Sequence, residues 1–299
     1  MKILVCTEGS ERSQNAIESA VQIAEATHSE VTIFGVTESE SKEAQLLADL
    51  QQSQRLFLEK GLTAEIASQC GDLIASILQK TDQTIYDLIV IGGRRTARGA
   101  SSGLSIRAYR IIESVKTAIL VVPEKRAAIG KILVCSGGAH YIDTAVHLTG
   151  RLAQALHAKV TLLTVIPVPP AMHVRLASQK IDVEKLLRSK TSLGRNLQRE
   201  KQVLESFSVP TNVRLRAGPV IDQIHREIED QDYDLVVVGT SHGRDPVTHF
   251  FLGNATREIV NRADRPVLVV RSEELPSNPI RRMMAKVFGF VSRFRSANR

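Results

Sequence analysis

The chain repeats itself. Lys131-Ile-Leu-Val-Cys135 restates Lys2-Ile-Leu-Val-Cys6, and Val160-Thr-Leu-Leu-Thr-Val165 restates Val31-Thr-Ile-Phe-Gly-Val36, both at an offset of 129. Gly218-Pro-Val-Ile221 restates Gly71-Asp-Leu-Ile74 at an offset of 147. Tyr233-Asp-Leu-Val-Val-Val-Gly239 restates Tyr86-Asp-Leu-Ile-Val-Ile-Gly92 at the same offset. Pro266-Val-Leu-Val-Val270 closes the second copy as Ala118-Ile-Leu-Val-Val122 closes the first. A duplication this regular means one fold built twice. The change of offset places about 18 extra residues in the second copy, between its second and third strands, within 171–206.

Each copy reads as strand and helix in alternation. In the first, the apolar runs Lys2–Cys6, Val31–Val36, Leu62–Ala67, Asp87–Ile91 and Ala118–Val122 are strands. Between them lie helices over Ala16–Ala24, Ser41–Lys60, Asp72–Lys80 and Ile106–Val115. Continuous rather than alternating apolar runs mean strands buried on both faces, hence a parallel sheet covered by helices. The fold class is α/β: two tandem five-stranded parallel-sheet, Rossmann-like domains over 1–126 and 127–272, with a linker near Pro123–Gly130 and a tail from 273 to 299. The closing strands, Ile119–Val122 and Val267–Val270, are expected at the contact between halves, since an unpaired edge invites association.

Composition excludes several function classes. No window approaches the ~18 apolar residues of a membrane span, and the first residues enter a strand without a signal-peptide layout. A cytoplasmic protein is expected. Cys6, Cys70 and Cys135 are odd in number and lack metal-ligand spacing, so reduced buried thiols are expected. The formal charge is +7, but Arg281, Arg282, Lys286, Arg293, Arg295 and Arg299 supply six of it, leaving a nearly neutral body. With no Trp and 4% aromatic residues there is no stacking platform. A nucleic-acid partner is not indicated.

The stretch with chemistry in it runs from Tyr233 to Thr256. An apolar run ends at Gly239, then come Thr240, His242 and Gly243, and nine residues later Gly253-Asn254-Ala255-Thr256 opens a helical pattern. Glycines let backbone approach an anion, and a capped helix start presents free N–H groups to it.

A unit of this length, with a small-residue turn after strand one and this loop after strand four, resembles the universal stress protein family, an adenine nucleotide α-hydrolase-like fold. The chain looks like a tandem member, over nearly all of 1–272. The family's ATP-binding members carry Gly, two residues, Gly, nine residues, then Gly with Ser or Thr. The second half has three residues in the first gap and Asn254 at the end. Asn retains hydrogen-bonding and capping ability. In the first half, Ser105 and Ile106 fall where Gly253 and Asn254 stand, so that copy is degenerate, with an exposed basic loop at Arg94, Arg95 and Arg98. The family's Asp-Gly-Ser turn survives as Glu8-Gly9-Ser10 in the first half and becomes Ser136-Gly137-Gly138 in the second.

The resemblance implies a stress-response protein that holds ATP or a related adenine nucleotide in its second half. The implied binding residues are Ser136, Gly137, Gly138, Val165 beside the adenine, Gly239, Thr240, His242, Gly243, Gly253, Asn254, Ala255 and Thr256. Mg2+ would enter only with the nucleotide. It also implies pairing of the two halves within the chain, and leaves a homodimer open.

Ser136-Gly-Gly-Ala-His-Tyr141 also resembles the start of the loop of ATP-pyrophosphatases, Ser-Gly-Gly-x-Asp-Ser, with His140 and Tyr141 in place of the last two residues. The other elements of those enzymes are missing. No metal box and no Ser, His and acid motif can be read, so no catalytic or metal residue is assigned. Signalling by binding is expected, with slow ATP hydrolysis at most. His28 and His157 read as surface residues.

Ile280, Met283, Met284, Val287, Phe288, Val291 and Phe294 recur at three- and four-residue steps, with basic residues on much of the remainder. An amphipathic basic helix after Pro279 is expected, and two occupants stand open for 280–295: an anionic membrane surface on the inner face, or a protein partner. The opposing function class follows from it, an interaction module without nucleotide, recruited through its surface and tail.

Overall fold

A computed structural model describes residues 1–9, 13–93, 106–137, 142–167, 182–241 and 255–272. The tail expectation falls outside them. The first half contains β1 (Lys2–Thr7), α1 (Gln14–Thr27), β2 (Glu30–Thr37), α2 (Glu43–Leu58), β3 (Ala64–Cys70), α3 (Leu73–Gln83), β4 (Leu88–Gly92), α4 (Ile106–Ser114) and β5 (Ala118–Val122). The second contains β6 (Lys131–Cys135), α5 (Asp143–Ala155), β7 (Lys159–Ile166), α6 (Val183–Leu187), α7 (Ser192–Ser206), β8 (Thr211–Ala217), α8 (Val220–Gln231), β9 (Leu235–Ser241), α9 (residues 255–262) and β10 (Val267–Ser272).

The strands form one ten-stranded sheet in the order β3-β2-β1-β4-β5-β10-β9-β6-β7-β8. Pairing is parallel within each half. The halves meet where β5 pairs antiparallel with β10, Leu120 opposite Leu268 with Val121–Val267 and Ile119–Val269 on either side. The closing strands are therefore the contact, as expected, and each removes the other's open edge. An apolar core lies on each face of the sheet, and each core draws residues from both halves. In each half the chain turns back at the first strand: β6 lies between β7 and β9, as β1 lies between β2 and β4. Open α/β sheets place their ligand crevice at the carboxyl ends of strands at such a switch point.

The repeated motifs have structural causes. The Tyr-Asp pair before strand four is one. Asp87 Oδ2 accepts from Lys2 N–H at 2.8 Å, and Asp234 Oδ2 accepts from Gly130 and Lys131 N–H at 2.9 Å, so each aspartate ties strand four to strand one. Tyr86 and Tyr233 are buried beside them. His28 and His157 end α1 and α5 with φ of 48° and 53°, and both are exposed, as read.

Several boundaries move. The expected helix over Ser41–Lys60 is a 3-10 turn, Glu40–Lys42, followed by α2. β3 lies at Ala64–Cys70 rather than Leu62–Ala67, because the chain first turns through Gly61 at φ 71°. The run ended at Gly239 continues to Ser241, since β10 supplies partners as far as Ser272. The described part of 171–206 is two helices, not one. Asp182 caps α6 through Lys185 N–H, and Thr191 caps α7 through Gly194 N–H. A Cβ on Gly194 would stand 2.3 Å from the Leu186 carbonyl oxygen, so only glycine lets the two helices approach this closely. The cysteines also differ from expectation: Cys6 is buried, but Cys70, at the end of the outer strand β3, is exposed and Cys135 is intermediate.

Candidate functional site

At the carboxyl ends of β6, β7 and β9 a cleft of about 1090 Å³ opens between these strands, α8 and α9. Six of the residues singled out from sequence line it: Ser136, Gly137, Val165, Gly239, Ala255 and Thr256. The strands deliver them because β6 ends at the turn after Cys135 and β7 carries Val165 one residue from its end, while Ala255 and Thr256 come from α9. Thr240 pairs with Arg271 within β9 and does not line the cleft. Gly138, His242, Gly243, Gly253 and Asn254 lie outside the described residues.

The wall is mostly apolar. Leu163, Val238, Ile224 and Ile259 are buried behind Val165, and two prolines, Pro167 and Pro219, stand at one side. The charged rim is on α8 and α9. Arg262 contacts Glu258 at 2.5 Å and approaches Asp222 at 4.0 Å, closing that side with a largely compensated cluster. Nearby His225 has its pKa lowered by burial and then by the Arg262 charge. Cys135 lines the cleft, but burial, aided by the negative charge of Glu227, pushes its thiol up to about 12, so it is no nucleophile.

Two of the assigned residues also have structural partners. Gly239 is buried within β9, where a Cβ would meet Ile142 Cγ1 at 3.3 Å. Its missing side chain makes room for the start of α5 as well as bordering the cleft. Ser136 lines the cleft with its hydroxyl held by protein, donating to Glu200 Oε2 at 2.7 Å. Its N–H donates to the Leu163 carbonyl at 2.8 Å and its carbonyl accepts from Thr164 Oγ1 at 3.0 Å, so β7 fixes the turn. In the other half, Glu8 is exposed, and Gly9 stands at φ 73° with Asp49 and Leu46 against the place of a Cβ.

Sequence reading missed Glu200 and Glu227. Glu227 on α8 is fully buried, accepts from Arg216 Nε at 2.6 Å and Tyr233 Oη at 2.8 Å, and forms an ion pair with Arg214 at 3.0 Å. Glu200 lies on the buried face of α7 between Leu197 and Leu204. The signal for Glu200 was present. At the offset of 147, Leu197, Glu200 and Leu204 correspond to Leu50, Ser53 and Phe57 on the buried face of α2, so one copy has a carboxyl where the other has a hydroxyl. Among the described residues no group of three or more His, Cys, Asp or Glu is placed to hold a metal ion.

The model of the universal stress protein family matches residues 1–123 and again 128–271. The chain belongs to the universal stress protein family. The resemblance read from the repeat and the glycine stretch is thus borne out, with the tandem arrangement. A universal stress protein from Synechocystis is 24% identical over 304 aligned positions, covering 90% of this chain and 99% of the relative. A solved universal stress protein from Archaeoglobus fulgidus superposes with a TM-score of 0.67 at 15% identity, covering 90% of this chain and 98% of that one. A solved putative universal stress protein from Pseudomonas aeruginosa gives 0.65 at 18% identity, covering 91% and 93%. These likenesses show that the chain shares the fold of those two proteins over nearly their whole length.

Proposed function

We propose that this universal stress protein binds ATP or a related adenine nucleotide in its second half and signals by the bound state rather than by turnover. The observation that carries the reading is a coincidence. Six of the twelve residues that family resemblance assigns to the nucleotide, chosen on motif alone, line a single cleft at the switch point of the second half. Its volume suits a ligand of nucleotide size, on the scale of roughly 300–1,000 Å³ typical of such pockets.

The chemistry of the lining supports a division of labour. The apolar wall of Val165, Val238 and Ile259 suits a purine. Gly137 offers backbone groups to the sugar side, since the hydroxyl, N–H and carbonyl of Ser136 are engaged by Glu200, Leu163 and Thr164. Ala255 and Thr256, which line the cleft from α9, are assigned to the phosphate side. His242, Gly243, Gly253 and Asn254 are assigned to the phosphate end from the sequence. Asp222 on α8 and Glu258 on α9 are paired with Arg262, so this rim adds little net charge to the cleft. Mg2+ would arrive with the nucleotide as counter-ion to its phosphates. Cytoplasmic location, a homodimer, and recruitment of 280–295 to membrane or partner are part of the same proposal as the setting in which the bound state is read.

The test is to purify the full chain, denature it and assay the supernatant for adenine nucleotide, with Gly243→Val and Gly253→Val alongside. Released ATP from the parent chain and none from either variant is expected, because a β-branched side chain fills the space an anion needs next to backbone. Equal release from the variants would move the site elsewhere.

A further inference from the structure

Glu200 is the group in this molecule whose surroundings least suit it. It is 1% exposed, on a helix face otherwise formed by Gly194, Leu197 and Leu204. One carboxyl oxygen accepts from Ser136 Oγ; the other, Oε1, has no hydrogen-bond partner among the described residues. A buried carboxylate with a single donor is costly, whereas the neutral acid is tolerated there. The repeat shows that the fold does not require it, since the first half builds the same position with Ser53, which donates to its own helix.

The partner matters more than the acid alone. Ser136 is the residue at which β6 ends and the cleft begins, and Gly137 next to it lines the cleft. Its backbone is pinned by β7 on one side and its side chain by Glu200 on the other. The electrostatic setting is sparse. Arg199, next along α7, is turned to Asp143 on α5 at 2.7 Å. On β7 the nearby polar group is the Thr164 hydroxyl, which is bonded to Ser136. On β8, Arg214 and Arg216 are drawn to the opposite face by Glu227. On α6, Arg188 pairs with Glu184 at the surface. His147 on α5 lies edge-on to Phe207, beyond the far end of α7. No described cation pairs with Glu200.

We propose that Glu200 is a proton switch for the turn that ends β6: by gaining or losing its proton it sets, through Ser136, how that turn presents itself to the cleft. Burial carries the carboxyl up to about 7, against the opposing pull of the Ser136 hydrogen bond and of Arg199. Protonation removes a buried negative charge from beneath the turn, and ionisation restores it. If an anion binds at the turn, which rests on the nucleotide reading above, proton and anion favour one another, and the coupling is reciprocal. The structure thus gives the second half a means of making ligand binding pH-dependent that the first half lacks.

The experiment is NMR on the full chain carrying 13C-labelled glutamate carboxyls and 15N backbone, titrated from pH 4 to 9 without ligand. One carboxyl carbon, absent in Glu200→Gln, is expected to titrate with a midpoint near 7, and the Gly137 amide is expected to follow the same curve. In Glu200→Gln the Gly137 amide should lose that transition. Ser136→Ala, which removes the bond favouring the charged form, should move the carboxyl midpoint upward. A midpoint in the ordinary carboxylate range, or a Gly137 transition that persists in Glu200→Gln, overturns the proposal. If Glu200→Gln does not fold, the parent and Ser136→Ala titrations decide it. ATP is then added as probe. Affinity falling about five- to tenfold from pH 6 to 8 in the parent, and flat in Glu200→Gln, supports the coupling; equal slopes in both overturn it. If ATP binds neither protein at any pH, the nucleotide reading fails while the ligand-free titration still decides Glu200.

Discussion

A single carboxyl distinguishes the two copies more sharply than any glycine. Glu200 occupies the place of Ser53, and its pKa is raised by burial from 4.5 to about 7. The linkage has a definite sign. Between these values the folded state binds more protons than the unfolded chain, so the contribution of Glu200 to stability falls as pH rises through that window. Below it the acid is neutral in both states; above it the full penalty stands. Glu200→Gln, which cannot ionise, should match the parent at pH 4.5 and exceed it by up to about 3 kcal/mol at pH 8, a difference that urea denaturation at the two pH values measures. Equal stabilities at both pH values contradict the burial argument. Gly239 makes a second residue-scale case. Gly239→Ala brings a Cβ to 3.3 Å from Ile142 Cγ1, so a loss of about 1–2 kcal/mol is expected in the same assay.

Elements were legible where their pattern was self-sufficient. Strands such as Ile3–Cys6 and Leu235–Val238 are apolar on both faces, and that determines both their type and their place at the sheet centre. Outer strands were less legible because partners define them. β3 carries Glu65, Ser68 and Gln69, and only its pairing with β2 fixes where it starts. The cleft was legible as a list of residues but not as a volume. Val165 and Thr256 were assigned by motif, whereas the wall from α8, including Ile221 and Ile224, depends on how that helix packs. The helix is fastened by Glu227, which no local pattern marks as the shared partner of Arg214, Arg216 and Tyr233. Glu227→Ala leaves these donors without it and should cost about 3–5 kcal/mol, read by thermal or denaturant unfolding. A loss below about 1 kcal/mol would mean that the network is replaceable by water.

On the scale of the molecule, the duplication closes on itself. The antiparallel seam at Leu120 and Leu268 is nearly symmetric, and linker contacts reinforce it. Arg126 reaches Asp232 at 3.4 Å, Lys125 pairs with Glu18, and the Asn15 amide donates to the Pro123 carbonyl. Arg257 of α9 lies over the Tyr109 ring of α4 at 4.9 Å, a second tie between halves. Residues 1–126 expressed alone would expose the β5 edge and should self-associate through it, giving a dimer in sedimentation velocity where the full chain does not use that edge. A stable monomer would show that the seam is dispensable.

The proposed function places a ligand site in the second copy alone. Calorimetric titration of ATP into the full chain tests this most directly, with Val165→Asp as the variant, since a carboxylate on the apolar wall opposes a purine there. The expected result is one ATP per chain, with affinity reduced at least tenfold in a Val165→Asp protein whose thermal unfolding remains cooperative. Two ATP per chain, none, or unchanged affinity in Val165→Asp would contradict the placement of the nucleotide in the second-half cleft.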